Sequence, residues 1–175
     1  MRLILQFPKT VILVLLFLMG FTIYGSTLKT GFVAWDDNIH VFENPLLTPP
    51  SFAKLDEIWK GPYKGLYTPM TYTVWLFLTG FDRSPHASSP ESRFDPSHLH
   101  AFSVLIHILN AFLVFNLIQL LLTNSIFLSS RSPATQRIAS SHSSKLNFQQ
   151  WGASAFGSLL FLVHPLQTEA VAWIS

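Results

Sequence analysis

The chain has 175 residues, 49% of them hydrophobic and only 11% charged, where a soluble domain carries about 25% Asp, Glu, Lys and Arg. With a formal charge of only +2 and no basic cluster interleaved with aromatics, the composition excludes an ordinary soluble domain, a disordered chain and a nucleic-acid-binding protein. More than half of the chain, residues 10–28, 65–81, 96–130 and 146–168, carries no ionised side chain, and no cysteine is present to supply a disulfide, a thiolate nucleophile or a sulfur ligand.

In chain order, residues 1–9 are a basic leader carrying Arg2 and Lys9. Residues 10–28 come next as an apolar run of about 28 Å at about 1.5 Å per residue, close to the thickness of a hydrocarbon core. The competing reading is a secretory signal peptide, with Gly25-Ser26-Thr27 as small residues for cleavage. Against it, the run is long for a signal and the small residues do not form an Ala-x-Ala pattern. Residues 29–95 form the first connection. Within it 65–81 is apolar and aromatic, but Pro69 interrupts it, and the stretch from there to Phe81 is too short to cross. The pattern predicts an interfacial or re-entrant helix over 69–80 with Tyr67, Tyr72 and Trp75 at headgroup level; a true crossing there is the alternative. Residues 82–97, rich in Ser and Pro, read as a surface insertion.

The cluster Asp95-Pro96-Ser97 starts a second span, 96–122. A polar connection at 123–150 leads to a third span, 151–175, with Pro165 predicting an end or a kink. The chain stops within the apolar stretch Ala170-Val171-Ala172-Trp173-Ile174, which reads as the end of an N-terminal fragment. Basic residues set the orientation. Arg2 and Lys9 precede the first span, and Arg131, Arg137 and Lys145 stand without any acid in 123–150, so both are expected on the cytoplasmic side. The 29–95 connection, with six basic and eight acidic residues, is then extracytoplasmic. The expected fold is all-α, a polytopic helical membrane protein.

Three clusters could carry chemistry. The first is Trp35-Asp36-Asp37-Asn38-Ile39-His40 with Glu43-Asn44-Pro45. Adjacent carboxylates repel, so one pKa can rise into the range useful for a general base; the pair could also hold a divalent cation, or form only a solvated turn. The second is the set His100, Ser103, His107 and Asn110, spaced to share one face of the second span. It would line a cavity or bond to neighbouring helices. The third, His164-Pro165-Leu166-Gln167-Thr168-Glu169, holds the only ionised residue after Lys145; Glu169 needs a wet cavity or a partner, or snorkels to the interface.

Taken in order, Phe32-Val33-Ala34-Trp35-Asp36-Asp37, Glu43-Asn44-Pro45, Tyr67-Thr68-Pro69-Met70-Thr71-Tyr72, His107-Ile108-Leu109-Asn110 and His164-Pro165-Leu166-Gln167-Thr168-Glu169-Ala170-Val171-Ala172-Trp173 resemble the opening of proteins that join a glycosyltransferase-C membrane domain to tetratricopeptide repeats. Eukaryotic members of that family are protein O-mannosyltransferases. The resemblance covers roughly residues 28–80 and 98–175. It implies transfer of a single sugar, with mannose as the candidate, from a polyprenyl-phosphate donor to an extracytoplasmic protein or glycan acceptor, with inversion. Protein Ser or Thr hydroxyls are the candidate acceptors. The family uses an acidic residue of the first extracytoplasmic loop as base or metal ligand, a role that maps onto Asp36 or Asp37. A divalent cation is thereby a candidate cofactor, and His107, Asn110, His164 and Glu169 are candidate binding residues. The membrane would be a bacterial inner membrane or that of the endoplasmic reticulum, and the fragment alone would be inactive. The competing classes are a non-catalytic membrane anchor for a repeat-based interaction protein and a piece of a transporter lined by the His/Asn stripe.

Overall fold

The computed structural model describes residues 2–33, 36–49, 51–80, 94–129, 149–172 and 174. The described residues are mostly helical, with no strand; a lone bridge joins Tyr63 and Leu66. The Ser/Pro-rich insertion, apart from its last residues, and most of the basic connection at 123–150 lie outside the described residues, as do Trp35 and Trp173. Among the described residues two helices are long and apolar enough to cross a membrane, Lys9–Lys29 and Pro96–Asn124. The chain divides into two compact units, residues 1–24 with 104–168, and residues 25–103 with 169–175.

The first unit is built on α1 (Arg2–Tyr24), most of α4 (Pro96–Ser129) and α5, helical over residues 149–163. Over residues 9–24 of α1 only a narrow stripe at Leu16, Gly20 and Tyr24, four residues apart, is buried, while Val14, Phe17, Leu18 and Phe21 are exposed. A helix apolar on every side with one thin buried stripe suits a lipid surround better than water. The helix α4 buries Val104, Ile108, Ala111 and Phe115, and α5 buries Ser154, Ser158 and Leu162. Both serine hydroxyls turn back into their own helix, Ser154 donating to the Gln150 carbonyl and Ser158 to that of Ala155. A small polar group thus sits on a packed face without an unmet bond.

Where α5 stops at Val163, the last turn of carbonyls has no helical partner, and Pro165 has no N–H to offer. The structure fills this need from two other helices. Tyr24 Oη donates to the Leu162 carbonyl at 2.9 Å, and His107 Nε2–H donates to the same oxygen at 3.0 Å. The His107 ring also lies 5.3 Å from the rings of Tyr24 and Phe161. The expected single helix over 151–175 is therefore two pieces, α5 and the short α6 (Gln167–Ala172), separated by the turn at His164–Leu166. In the other direction, α4 continues to Ser129 rather than ending at Leu122. Thr123 donates to the Gln119 carbonyl, so its hydroxyl folds back into the helix instead of breaking it.

The second unit contains the turn of 3-10 helix Gly25–Lys29, a π-helical turn Asn38–Phe42 closed by Glu43 N–H to the Asn38 carbonyl, the 3-10 turn Phe52–Lys54, α2 (Leu55–Lys60) and α3 (Pro69–Thr79). Its core comprises Val41, Leu47, Ile58, Tyr72, Trp75, Leu76, Leu99 and Ile174. Local chemistry sets each turn. Ser51 accepts the Ala53 N–H ahead of α2, and Pro69 takes the first position of α3, where its missing N–H costs nothing. Between α2 and α3, Tyr63 and Leu66 exchange both backbone hydrogen bonds at 2.9 Å across Lys64 (φ 48) and Gly65 (φ 86), a tight turn that requires two positive φ values in succession. At the head of α4, hydrogen bonds from the Ser97 side chain and from the Ser97 N–H, the latter at 2.9 Å, hold the Asp95 carboxyl below the usual range.

Within the first unit the glycines of two helices mark close approaches that differ in kind. A Cβ on Gly20 would lie 2.5 Å from Ile108 Cγ1 and 2.9 Å from its Cδ1, whereas one on Gly157 would meet Ile118 Cδ1, the far end of that side chain, at 2.5 Å. Gly157→Ala should therefore be neutral or stabilising by up to about 1 kcal/mol, because a terminal methyl can rotate away and alanine favours the helix. Gly20→Ala should lose about 1–3 kcal/mol through overpacking. Thermal unfolding of both variants in lipid checks the order.

Candidate functional site

The candidate site is the first stretch of the second unit after α1, where both carboxylates of the Asp36-Asp37 pair are found. The structure treats the two differently. Asp37 is 2% exposed, and its Oδ2 accepts the Val33 N–H at 2.7 Å, so this carboxylate folds the chain back on itself. Asp36 is half-buried; its carbonyl accepts the His40 N–H at 2.8 Å, while its carboxylate accepts no hydrogen bond from a described residue. One aspartate is built into the turn, and the other has no hydrogen bond to its carboxylate among the described residues.

The turn is held from the other side by α3. His40 Nδ1 and Tyr72 Oη are hydrogen-bonded at 2.8 Å in the interior, and Tyr63 meets both rings edge-on, at 6.1 Å and 6.2 Å. Burial pushes the Tyr72 phenol above its usual range, and burial followed by the Glu43 charge does the same to Tyr63. Asn44 is fully buried and makes two bonds within the turn, donating to the His40 carbonyl and accepting the Leu46 N–H, both at 2.9 Å. The Glu43-Asn44-Pro45 motif is thus a structural corner. Tyr72 and Trp75, expected at headgroup level, face the core of this unit instead: α3 buries the side on which 72, 75, 76 and 79 align, and that side carries both rings.

His100 enters the site from the first turns of α4. Thr30 Oγ1 gives its one hydrogen to the Thr27 carbonyl at 2.6 Å and lies 3.1 Å from His100 Nε2. The hydroxyl has no second hydrogen, so Nε2 must be the donor, and in the neutral ring Nδ1 is a bare lone pair. That Nδ1 is buried and has no hydrogen-bond partner among the described residues, and the same holds for Asn38 Oδ1. Asp37 is close enough to His100 for their charges to interact. The site therefore holds three acceptors with capacity to spare: the Asp36 carboxylate, Asn38 Oδ1 and His100 Nδ1.

The residues of the stripe expected along α4 differ in their surroundings. His100 belongs to the second unit and His107 to the first, where it is bound to the Leu162 carbonyl; Asn110 is exposed. The buried face runs along Val104, Ile108, Ala111 and Phe115, and at 3.6 residues per turn Asn110 falls about a third of a turn away from it. His164, in the first unit, is exposed, and its Nδ1 accepts the Leu166 N–H at 3.2 Å. Glu169, in the second unit, is exposed in the first turn of α6, where a negative charge complements the helix dipole. Among the described residues no three His, Asp or Glu side chains are gathered as a metal site, so these residues do not by themselves fit a bound cation. Thr30 and Tyr63 carried no signal in the sequence, and His40 and Tyr72 stood inside motifs without a role of their own, because the partners of all four are distant in the chain.

Removing the Tyr72 hydroxyl should expose how much the site depends on this clamp. Tyr72→Phe leaves His40 Nδ1 buried without a partner and should cost about 1–3 kcal/mol. The sign of the pH effect is set by the raised pKa of the phenol. Its contribution is complete below the unfolded-state value of about 10 and is lost as pH rises from there through the folded-state pKa. Stability against pH, measured between neutral and strongly alkaline conditions, should fall less steeply in Tyr72→Phe than in the parent.

Comparison of the sequence with family models and with curated proteins, and of the fold with solved structures, finds no match.

Proposed function

We propose that this chain is the opening part of a multi-pass membrane glycosyltransferase that takes a sugar from a polyprenyl-phosphate donor and delivers it to a hydroxyl acceptor outside the cytoplasm. The observation that carries the proposal is the division of labour at Asp36 and Asp37. A buried carboxylate pinned to the backbone stands next to a half-buried one with open oxygens. Both come directly after an apolar helix long enough to cross a membrane. The ordered motifs that resemble the glycosyltransferase-C family point the same way.

In this reading Asp36 is the general base and Asp37 the positioning residue that fixes the turn beneath it. Asp36 removes the proton of the acceptor hydroxyl as that oxygen attacks the anomeric carbon; the bond to the donor phosphate breaks on the opposite face, so the configuration inverts. The unmet acceptors Asn38 Oδ1 and His100 Nδ1 suit a ligand rich in hydroxyl donors. A lipid-linked donor keeps its tail in the bilayer, so the reacting carbon sits near the headgroup plane, where a segment tethered at Lys29 and again at Pro96 can meet it. Glu169, exposed in the same unit, is proposed to contact donor or acceptor. His107, Asn110 and His164 belong to the other unit.

Transfer from a polyprenyl-phosphate sugar, assayed in membranes holding the intact protein, should fall about 10²–10⁴-fold in Asp36→Asn. Asp37→Asn should lose activity together with stability, because it weakens the Val33 bond. If both variants insert normally and transfer sugar at the parent rate, the pair is a structural turn and the chain is better read as a non-catalytic anchor.

A further inference from the structure

The side of α3 opposite the core is as apolar as the side within it. Tyr72, Trp75, Leu76 and Thr79 point inward, while Met70, Thr73 and Phe77, which share the other side, point out. Two neighbouring elements extend this outer face into one patch. Phe52 packs on Phe77 with ring centroids 5.0 Å apart, Trp59 donates its indole N–H to Thr73 Oγ1 at 3.1 Å, and Tyr67 donates its hydroxyl to the Trp59 carbonyl at 3.1 Å. Phe52, Trp59, Tyr67, Met70 and Phe77 are each between 46% and 65% exposed. Singly exposed apolar residues are ordinary, but five gathered on α3 and the elements packed beside it form a patch that calls for a partner.

We infer that this patch is a lipid-insertion surface, by which the segment between the two apolar helices dips its α2–α3 face into the membrane leaflet. Three observations favour lipid over a protein partner. The segment is covalently continuous at both ends with helices long and apolar enough to cross a membrane, so it is confined to a membrane surface whatever else it meets. The polar atoms of Trp59 and Tyr67 are already satisfied within the unit, so the outward rings present only apolar surface and need no partner in the acyl region. Basic side chains border the patch. Lys60 is next to Trp59 and is paired with Asp56, and Lys64 occupies the exposed turn leading to Tyr67, the arrangement by which apolar anchors and cationic rims bind anionic headgroups. The inference rests on the membrane part of the proposed function and not on its chemistry.

Because the chain has no cysteine, single nitroxide labels can be placed cleanly. Met70→Cys and Phe77→Cys report the patch, Glu57→Cys an exposed acidic position of α2, and Leu18→Cys the first apolar helix. The full chain is reconstituted in phosphatidylcholine vesicles containing phosphatidylglycerol, and the accessibility of each label to oxygen and to a water-soluble nickel chelate is measured. The expected result is an oxygen-to-chelate ratio at 70 and 77 several-fold above that at 57, and a further rise when phosphatidylglycerol is increased. Chelate access at 70 and 77 equal to that at 57 overturns the inference, and if Leu18 still reads as lipid-buried the membrane anchoring stands without it. Protection of 70 and 77 from both reagents overturns it in favour of a protein covering, and spin–spin broadening at 70 would identify a second copy as that covering. A wet label at 18 removes the membrane reading itself.

Discussion

The packing of α3 against the turn that carries Asp36 and Asp37 is the constraint on which the second unit depends. An eleven-residue helix made almost wholly of apolar side chains has no stable existence alone. It is held because Tyr72, Trp75 and Leu76 pack against Val41, Leu47 and Ile58. The His40–Tyr72 hydrogen bond adds direction to that contact. Apolar packing tolerates sliding, whereas a buried donor and acceptor meet in one register or leave an unmet group. The same bond fixes the π-helical turn and, through it, the backbone that presents the aspartates.

The first unit solves a different problem with the same rule. In apolar surroundings a helix cannot end without finding partners for its final carbonyls. The break enforced by Pro165 frees the Leu162 oxygen, and Tyr24 and His107 supply two donors to it. A polar residue in an apolar helix invites a functional reading. Here His107 has a structural duty that accounts for its burial, and His100, two turns earlier, has a buried nitrogen with no partner among the described residues.

Two adjacent carboxylates need not be a catalytic pair. Burying one and leaving its neighbour half-open lets a single turn both hold its own geometry and offer a base. Asp37 commits an oxygen to the Val33 N–H, and a neutral isostere there would weaken that bond; Asp36 makes no such commitment among the described residues. The distinction rests on burial and hydrogen bonding.

Composition alone determined that the chain is helical and apolar, because long stretches without charge at about 1.5 Å per residue leave few other ways to satisfy the backbone. Local chemistry was legible too: Asp95-Pro96-Ser97 starts α4, Pro69 starts α3 and Pro165 ends α5, since capping and proline effects act within a turn. The pairings between distant residues were left open. Tyr72 reads as an interfacial aromatic until His40, thirty-two positions earlier, is seen against it. The stripe His100, Ser103, His107 and Asn110 reads as one face until the buried face of α4 is seen to drift away from Asn110. Asp36 and Asp37 are identical as letters, and only the tertiary structure assigned one to the interior and one to its edge, because burial is a property of what packs around a side chain and not of the side chain itself.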